Sequence, residues 1–317
     1  MNDALIVTLL SVVPKNLGSK LQGWAGRLGL SRLIIRWYVN RYGVDTTEMI
    51  GTPEDYDTLQ DFFVRPLKPD ARPVDPAPDA LVSPCDAMVY AYGRLPEDGV
   101  LPLETGLPLD AVELVGGDPR YRGGGFAVLY LSPKDYHRVH HPLDGQTVGL
   151  RYLPGQLWPV FPEATRRIPN LFARNERMAV LVDTPQAGRV AVVLVGAYGV
   201  GRISVPFAEL ESNTGHPAAY QGYSPPIPAH RGAELGRFNL GSTVILLTEP
   251  GAVRWELEIG ADIKVGQRIA TVGPFAEPTH PADGGRVDPG FDDAEQSTPL
   301  LGEVTAATTL AGVPQEE

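Results

Sequence analysis

A chain of 317 residues, 43% hydrophobic and 21% charged, can bury a sizeable core in one large domain or two modest ones. Its formal net charge of −11 argues against nucleic acid as a partner. The single cysteine, Cys85, excludes an internal disulfide and suits a reducing compartment.

That charge is unevenly spread. Residues 1–50 carry six basic side chains (Lys15, Lys20, Arg27, Arg32, Arg36, Arg41) against three acidic ones. From Phe275 onward nine acids face one base, Arg286. The apolar run Ala4 to Val13 is about ten residues long, where a membrane-crossing helix needs roughly 20. It also lacks a basic n-region and a small-residue cleavage site, so a secretory signal is a poor reading.

The first fifty residues read as helices. Leu30, Leu33, Ile34, Trp37 and Tyr38 recur at helical spacing, with Arg32 and Arg36 on another face. With Trp24 and the Ala4–Val13 run, this pattern fits a segment lying in a membrane interface. It fits an amphipathic helix packed on its own domain equally well. A turn-rich stretch follows, from Phe62 through Arg65, Pro66 and Pro69 to Arg72 and Pro73. From Leu81 the pattern changes to short β-type runs: Phe126–Leu131, Met178–Val182, Val190–Val195, Thr243–Leu247 and Val253–Ile259. No G-x-G-x-x-G opens a helix after a strand, so a dinucleotide fold is not supported. The reading is α+β: a β-rich, sandwich- or barrel-like core behind an α-helical N-terminal membrane-associating segment. Residues 1–50 form that segment, 51–274 the catalytic domain, and 275–317 an acidic tail rich in Pro and Gly that is expected to be disordered.

Reactive side chains concentrate in three places. These are Ser83-Pro84-Cys85-Asp86, the stretch Asp135-Tyr136-His137-Arg138-Val139-His140-His141, and Leu240-Gly241-Ser242-Thr243 before a β-run. Singly, each has an ordinary reading: an Asp in a Pro turn is usually a cap, and Gly-Ser-Thr before a strand is usually a turn. In a β-run His137, Val139 and His141 would share one face, with His140 on the other. Metal ligation by the histidines lacks Cys or carboxylate partners at ligand spacing, so no metal is expected. Together the three places hold Asp86, His140 and Ser242, the inventory for activating a hydroxyl. The serine would attack either an external ester or amide, or its own backbone. The context Leu-Gly-Ser-Thr-Val lacks the second glycine of a G-x-S-x-G elbow, while Gly241 offers an unhindered carbonyl on the amino side. That favours the backbone.

These residues resemble bacterial phosphatidylserine decarboxylases of the short, membrane-associated type. The resemblance covers roughly residues 1–272. It rests on Phe62-Phe63-Val64-Arg65-Pro66-Leu67, Ser83-Pro84-Cys85-Asp86 and Leu131-Ser132-Pro133-Lys134-Asp135-Tyr136-His137-Arg138-Val139-His140. Tyr152-Leu153-Pro154-Gly155, Asn170 to Arg177 and Glu234 to Thr243 extend it. One departure stands out: Ala87 follows Asp86 where the family usually has Gly. If that position needed positive φ, Ala would cost about 1 kcal/mol.

The resemblance implies a self-processing enzyme with a pyruvoyl cofactor made from its own Ser242. Asp86 would orient His140, which draws the Ser242 proton for attack on the Gly241 carbonyl. Cleavage would separate a β chain, 1–241, from an α chain, 242–317, that stay together as a heterodimer, with a higher oligomer open. The pyruvoyl ketone would form a Schiff base with the amine of phosphatidylserine, giving phosphatidylethanolamine and CO₂, with His137 a candidate for handling the proton. The partner would be phosphatidylserine in anionic membranes, and the location the cytoplasmic face of the cell membrane, held peripherally. Trp158, Val160 and Phe161 would line a headgroup entrance or simply pack. The rivals are a serine hydrolase using Ser242, His140 and Asp86 without self-cleavage, a non-enzymatic membrane-bound β-module, and a pyruvoyl enzyme for a soluble amino acid.

Overall fold

The computed structural model describes residues 29–101, 109–160, 162–198, 202–238 and 242–275. The Ala4–Val13 run, Trp24, Phe161, Gly241 and the acidic tail from residue 276 lie outside them. No described helix is long and apolar enough to cross a membrane.

The N-terminal layer is a 3₁₀ turn, Gly29–Ile34, running into α1 (Ile35–Tyr42). Gly43 ends α1 in the left-handed conformation at φ 64°, as a C-terminal cap requires. A second short helix, α2 (Leu59–Phe63), starts at Thr58, whose side chain accepts from the Asp61 amide. Ile35, Tyr38, Met49, Leu59, Phe62 and Phe63 bury themselves in a cluster of their own. The expected single apolar face is divided. Ile35 and Tyr38 point inward, while Leu33 and Trp37 stay 77% and 47% exposed, because the 3₁₀ turn advances fewer residues per turn than the α-helix that follows.

The core is antiparallel β. The chain enters it with β1 (Ala80–Val82) and β2 (Ala87–Arg94). A short pair, β3 (Val100–Leu101) and β4 (Leu109–Asp110), and a helical turn, α3 (Ala111–Leu114), precede β5 (Gly125–Leu131). Next come β6 (Arg138–His140) and β7 (Gly145–Leu153). The helices α4 (Pro162–Arg167) and α5 (Leu171–Arg174) lead to β8 (Arg177–Thr184) and β9 (Gly188–Gly196). β10 (Ile203–Ser204), β11 (Ala219–Ala229) and β12 (Glu234–Phe238) bring the chain to β13 (Ser242–Leu247). β14 (Val253–Trp255), β15 (Asp262–Ile263) and β16 (Arg268–Val272) complete the described chain.

Eight strands form one sheet in the order β11-β7-β8-β9-β13-β5-β2-β15, with small three-stranded sheets β1-β16-β14 and β10-β12-β6 beside it. The large sheet is open, not a closed barrel. One edge, β11, is largely exposed and carries Pro225, Pro226 and Pro228, which cannot donate to a foreign strand. The interior strands match the apolar runs of the sequence, since all six residues of β13 are buried. The expected strand Val253–Ile259 is shorter. The chain turns after Trp255, with the Ala261 amide bonding the Glu258 carbonyl, and so sends β15 to the large sheet.

Behind β13 a buried polar cluster ties the layers together. Asn175 is fully buried. Its Oδ1 accepts from the Trp158 amide at 2.9 Å, and its Nδ2 donates to the Trp158 and Gly196 carbonyls at 2.9 and 2.8 Å. The Glu176 carboxylate accepts from Tyr152 Oη and the Asn213 amide. Arg177 donates to the Glu113, Leu114, Ala173 and Asn175 carbonyls, a cation serving the C-terminal ends of two short helices. Gly155 packs so tightly here that a Cβ would lie 2.5 Å from the Arg174 carbonyl oxygen. Replacing Asn175 by Ala orphans three backbone groups. We expect it to destabilise the chain by about 2–4 kcal/mol, read as a lower denaturant midpoint.

Candidate active site

Ser242 is the first residue of β13 and is paired on both sides, with Leu131 of β5 and with Gly196 of β9. It is 1% exposed, and its hydroxyl has no hydrogen-bond partner among the described residues. A buried hydroxyl with no partner is costly.

Backbone pairing brings the three reactive stretches together. Ser242 lies opposite Leu131, which opens the Ser132–His137 loop. At the loop's far end the Phe238 amide bonds the His137 carbonyl at 3.0 Å. The chain thus leaves β5 after Leu131, and four strands of the same sheet later β13 brings Ser242 back beside that departure point. The His140 amide donates to the Pro84 carbonyl at 2.7 Å, and the Val82 amide to Pro142 at 3.0 Å. These bonds seat the Ser83–Asp86 turn against the histidine strand. Burial alternates as read from the sequence: His137, Val139 and His141 are buried, with His140 half-buried between them.

Both candidate histidines take the same tautomer. His137 Nδ1 donates to the Asp135 carbonyl at 2.8 Å, and His140 Nδ1 donates to the Gly232 carbonyl at 2.7 Å. Carbonyls only accept, so each Nε2 is left as a lone pair in the neutral ring. The Tyr136 hydroxyl donates to His140 Nε2 at 3.2 Å. His137 Nε2 is buried with no partner among the described residues, and the Phe63 ring lies 4.1 Å from the His137 ring. Burial pushes the His137 pKa down to about 3 and lowers that of His140. It also pushes Asp135 up to about 6, although the Ser132 hydroxyl and amide hold its carboxylate at 2.8 and 2.7 Å.

Asp86 is not hydrogen-bonded to His140. Its carboxylate accepts from Arg72 Nε at 2.8 Å, from Arg72 Nη2, and from the Val265 amide at 2.9 Å. Burial lowers the His140 pKa, opposed by its bond to Gly232 and then by the charges of Glu234 and Asp86. Ala87 opens β2 and does not have positive φ, so the departure from Gly carries no backbone strain. Trp158 and Val160 are 7% and 6% exposed and belong to the main core. For them the packing reading holds.

Two participants escaped the sequence reading. Arg72, in a turn flanked by prolines, is the cation that binds Asp86. Tyr136, four residues before His140, is the donor to its ring. Sequence offers a signal only for Tyr136, which adjoins the histidine cluster.

Comparison with known proteins places the chain in a family. The family model described as phosphatidylserine decarboxylase matches residues 59–271. A phosphatidylserine decarboxylase proenzyme of Anaeromyxobacter sp. (strain K) is 41% identical over 284 residues, covering 85% of this chain and 99% of that protein. One of Myxococcus xanthus is 39% identical, over 86% of this chain and the whole of the other. A third, of Marinobacter nauticus, is 41% identical over 81% of this chain and 93% of its own length. The chain is a decarboxylase-type enzyme. It belongs to the phosphatidylserine decarboxylase family.

The buried histidine has a consequence for stability. With a folded pKa near 3 against an unfolded value near 6.5, the unfolded chain binds the extra proton first. The contribution of neutral His137 is therefore complete above pH 6.5 and is lost as pH falls towards 3. Asp135, raised to about 6, works in the opposite sense over pH 6 to 4. His137→Gln should flatten the acid-side loss of stability by up to about 1.4 kcal/mol per pH unit, as measured from urea midpoints between pH 6 and 4.

Proposed function

We propose that the chain cuts itself between Gly241 and Ser242 and then converts phosphatidylserine to phosphatidylethanolamine and CO₂. The observation that carries this reading is the Ser242 hydroxyl: buried, unpartnered, and located where the histidine loop leaves the sheet.

In the first stage His140 takes the Ser242 proton, and Oγ attacks the Gly241 carbonyl carbon. The C–N bond breaks as the amide becomes an ester, and nitrogen gains the proton. Loss of the Ser242 α-proton then expels residues 1–241 as a carboxylate. The dehydroalanine left behind loses its nitrogen as ammonia to water and becomes a pyruvoyl ketone. Asp86 supports His140 by its charge and by the turn it anchors, with Arg72 holding its carboxylate. This fits the site, because the hydroxyl consumed is one that no other bond requires.

The ketone supplies an electrophile for a primary amine and an acceptor for the electron pair released with CO₂. The protein's own residues do the rest. His137 holds its Nδ1–H on the Asp135 carbonyl and keeps Nε2 free to receive and return a proton. Burial keeps water from that proton. The lipid tails remain in the bilayer, so the site must work at its surface. Exposed Leu33 and Trp37 suit a membrane interface, and the six basic side chains of residues 1–50, of which Arg36 pairs with Glu54, suit an anionic one.

A second assignment is favoured by one observation. His137 Nε2 is the unpartnered lone pair, so His137 would serve as the base of the first stage as well.

Mass analysis and decarboxylation assays test all of this. Wild type should yield pieces 1–241 and 242–317, the second blocked by a ketone. It should act on phosphatidylserine in vesicles and not on soluble serine. Ser242→Ala should remain a single 34.2 kDa chain without activity, and His140→Gln should slow cutting about 10²-fold. His137→Gln should be cut yet inactive; an uncut His137→Gln chain would move the first-stage base to His137. Active wild type with an unbroken backbone would refute the proposal.

A further inference from the structure

The loop that carries His137 is held from outside the catalytic sheet. Tyr38 Oη donates to the Pro133 carbonyl at 2.7 Å. Arg65 Nη2 donates to the next carbonyl, Lys134, at 3.2 Å, and makes a longer contact of 3.5 Å with Asp135 after it. Two side chains of the helical layer thus take three consecutive acceptors. Arg138 returns the contact, donating from Nε to the Val64 carbonyl at 2.8 Å. The last of the three acceptors, the Asp135 carbonyl, is the one that fixes the His137 ring through Nδ1.

These contacts are shielded. Tyr38 and Arg65 are 6% and 3% exposed, and the Arg65 guanidinium lies over the Phe62 ring at 5.2 Å. Within the loop the Ser132–Asp135 bonds hold its start, and the Phe238 amide holds its end at the His137 carbonyl. Water cannot readily replace a donor lost from so dry a place.

We infer that Tyr38 and Arg65 are positioning residues for His137, so that the N-terminal helical layer sets the geometry of proton handling in addition to meeting the membrane. The inference rests on the two-stage reading above and concerns only its second stage. A proton donor must be held to within a fraction of an ångström of its target. The Tyr38 hydroxyl and Arg65 Nη2 reach the loop from the helical layer, and the loop transmits that constraint to the ring.

Tyr38→Phe removes one hydroxyl and keeps the ring that packs the cluster. The test compares it with wild type and with Leu59→Val, which thins the same cluster but removes no donor to the loop. Tyr38→Phe should be cut completely and react with phenylhydrazine to the same ketone content as wild type. On phosphatidylserine vesicles its kcat should fall about tenfold with KM unchanged. Hydrogen–deuterium exchange of the 132–138 peptide should quicken in Tyr38→Phe and not in Leu59→Val. Arg65→Lys, which keeps the charge but loses the fork, should behave like Tyr38→Phe. Unchanged kcat and exchange in Tyr38→Phe would overturn the inference, as would equal losses in Leu59→Val or a failure of Tyr38→Phe to be cut. An uncut, ketone-free wild type would instead overturn the two-stage reading itself.

Discussion

The pairing of Ser242 with Leu131 on one side and Gly196 on the other is the constraint on which the site depends. A residue hydrogen-bonded between two strands at the centre of a sheet cannot drift, and its side chain inherits that immobility. The neighbouring loops are then placed by the same register. β6, which follows the loop after Leu131, pairs with β12, which precedes Ser242 in the chain, so topology and not a dedicated contact sets the histidine stretch near the start of β13. Catalytic groups on irregular backbone are dependable only when a rigid element sets both ends of it.

The polar cluster at Asn175, Glu176 and Arg177 supports that register from behind. Buried amides and charges are tolerated when every donor finds an acceptor, and here the acceptors are backbone carbonyls of four different segments. Gly196 shows how the support reaches the site. Its carbonyl is bonded by Asn175, its amide by the Glu176 carbonyl, and it lies opposite Ser242. The site itself shows the opposite condition: the Ser242 hydroxyl and His137 Nε2 are buried without partners. Such groups destabilise a folded chain and concentrate where chemistry needs them.

Much of the core was legible in the sequence. Runs such as Val190–Val195 and Thr243–Leu247 are buried on both faces and so read as unbroken apolar stretches. The alternation of His137, Val139 and His141 against His140 was also visible as period two. The helical segment was harder, because a 3₁₀ turn shifts the phase between Leu33 and Tyr38 and divides a face that looks single at α-helical spacing. Site residues could be nominated by type but not connected. Asp86 looked like a partner for His140, yet an arginine fourteen positions earlier binds its carboxylate, and nothing in sequence spacing favours one cation over one imidazole. Ala87 raised concern because a family habit was visible while its backbone angle was not.

The strand order has a consequence for the proposed cut before Ser242. β13 lies between β5 and β9 in a sheet built largely from the earlier segment, and β16 pairs with β1, so the later segment is woven into the earlier one in two sheets. Separating the fragments would mean pulling out a fully buried central strand, a cost comparable to unfolding the core itself. Such a cut would therefore be mechanically silent: the halves would stay interlocked, in equal numbers, with the new terminus held where it was formed. A protein wired this way can sacrifice a covalent bond without loosening its architecture.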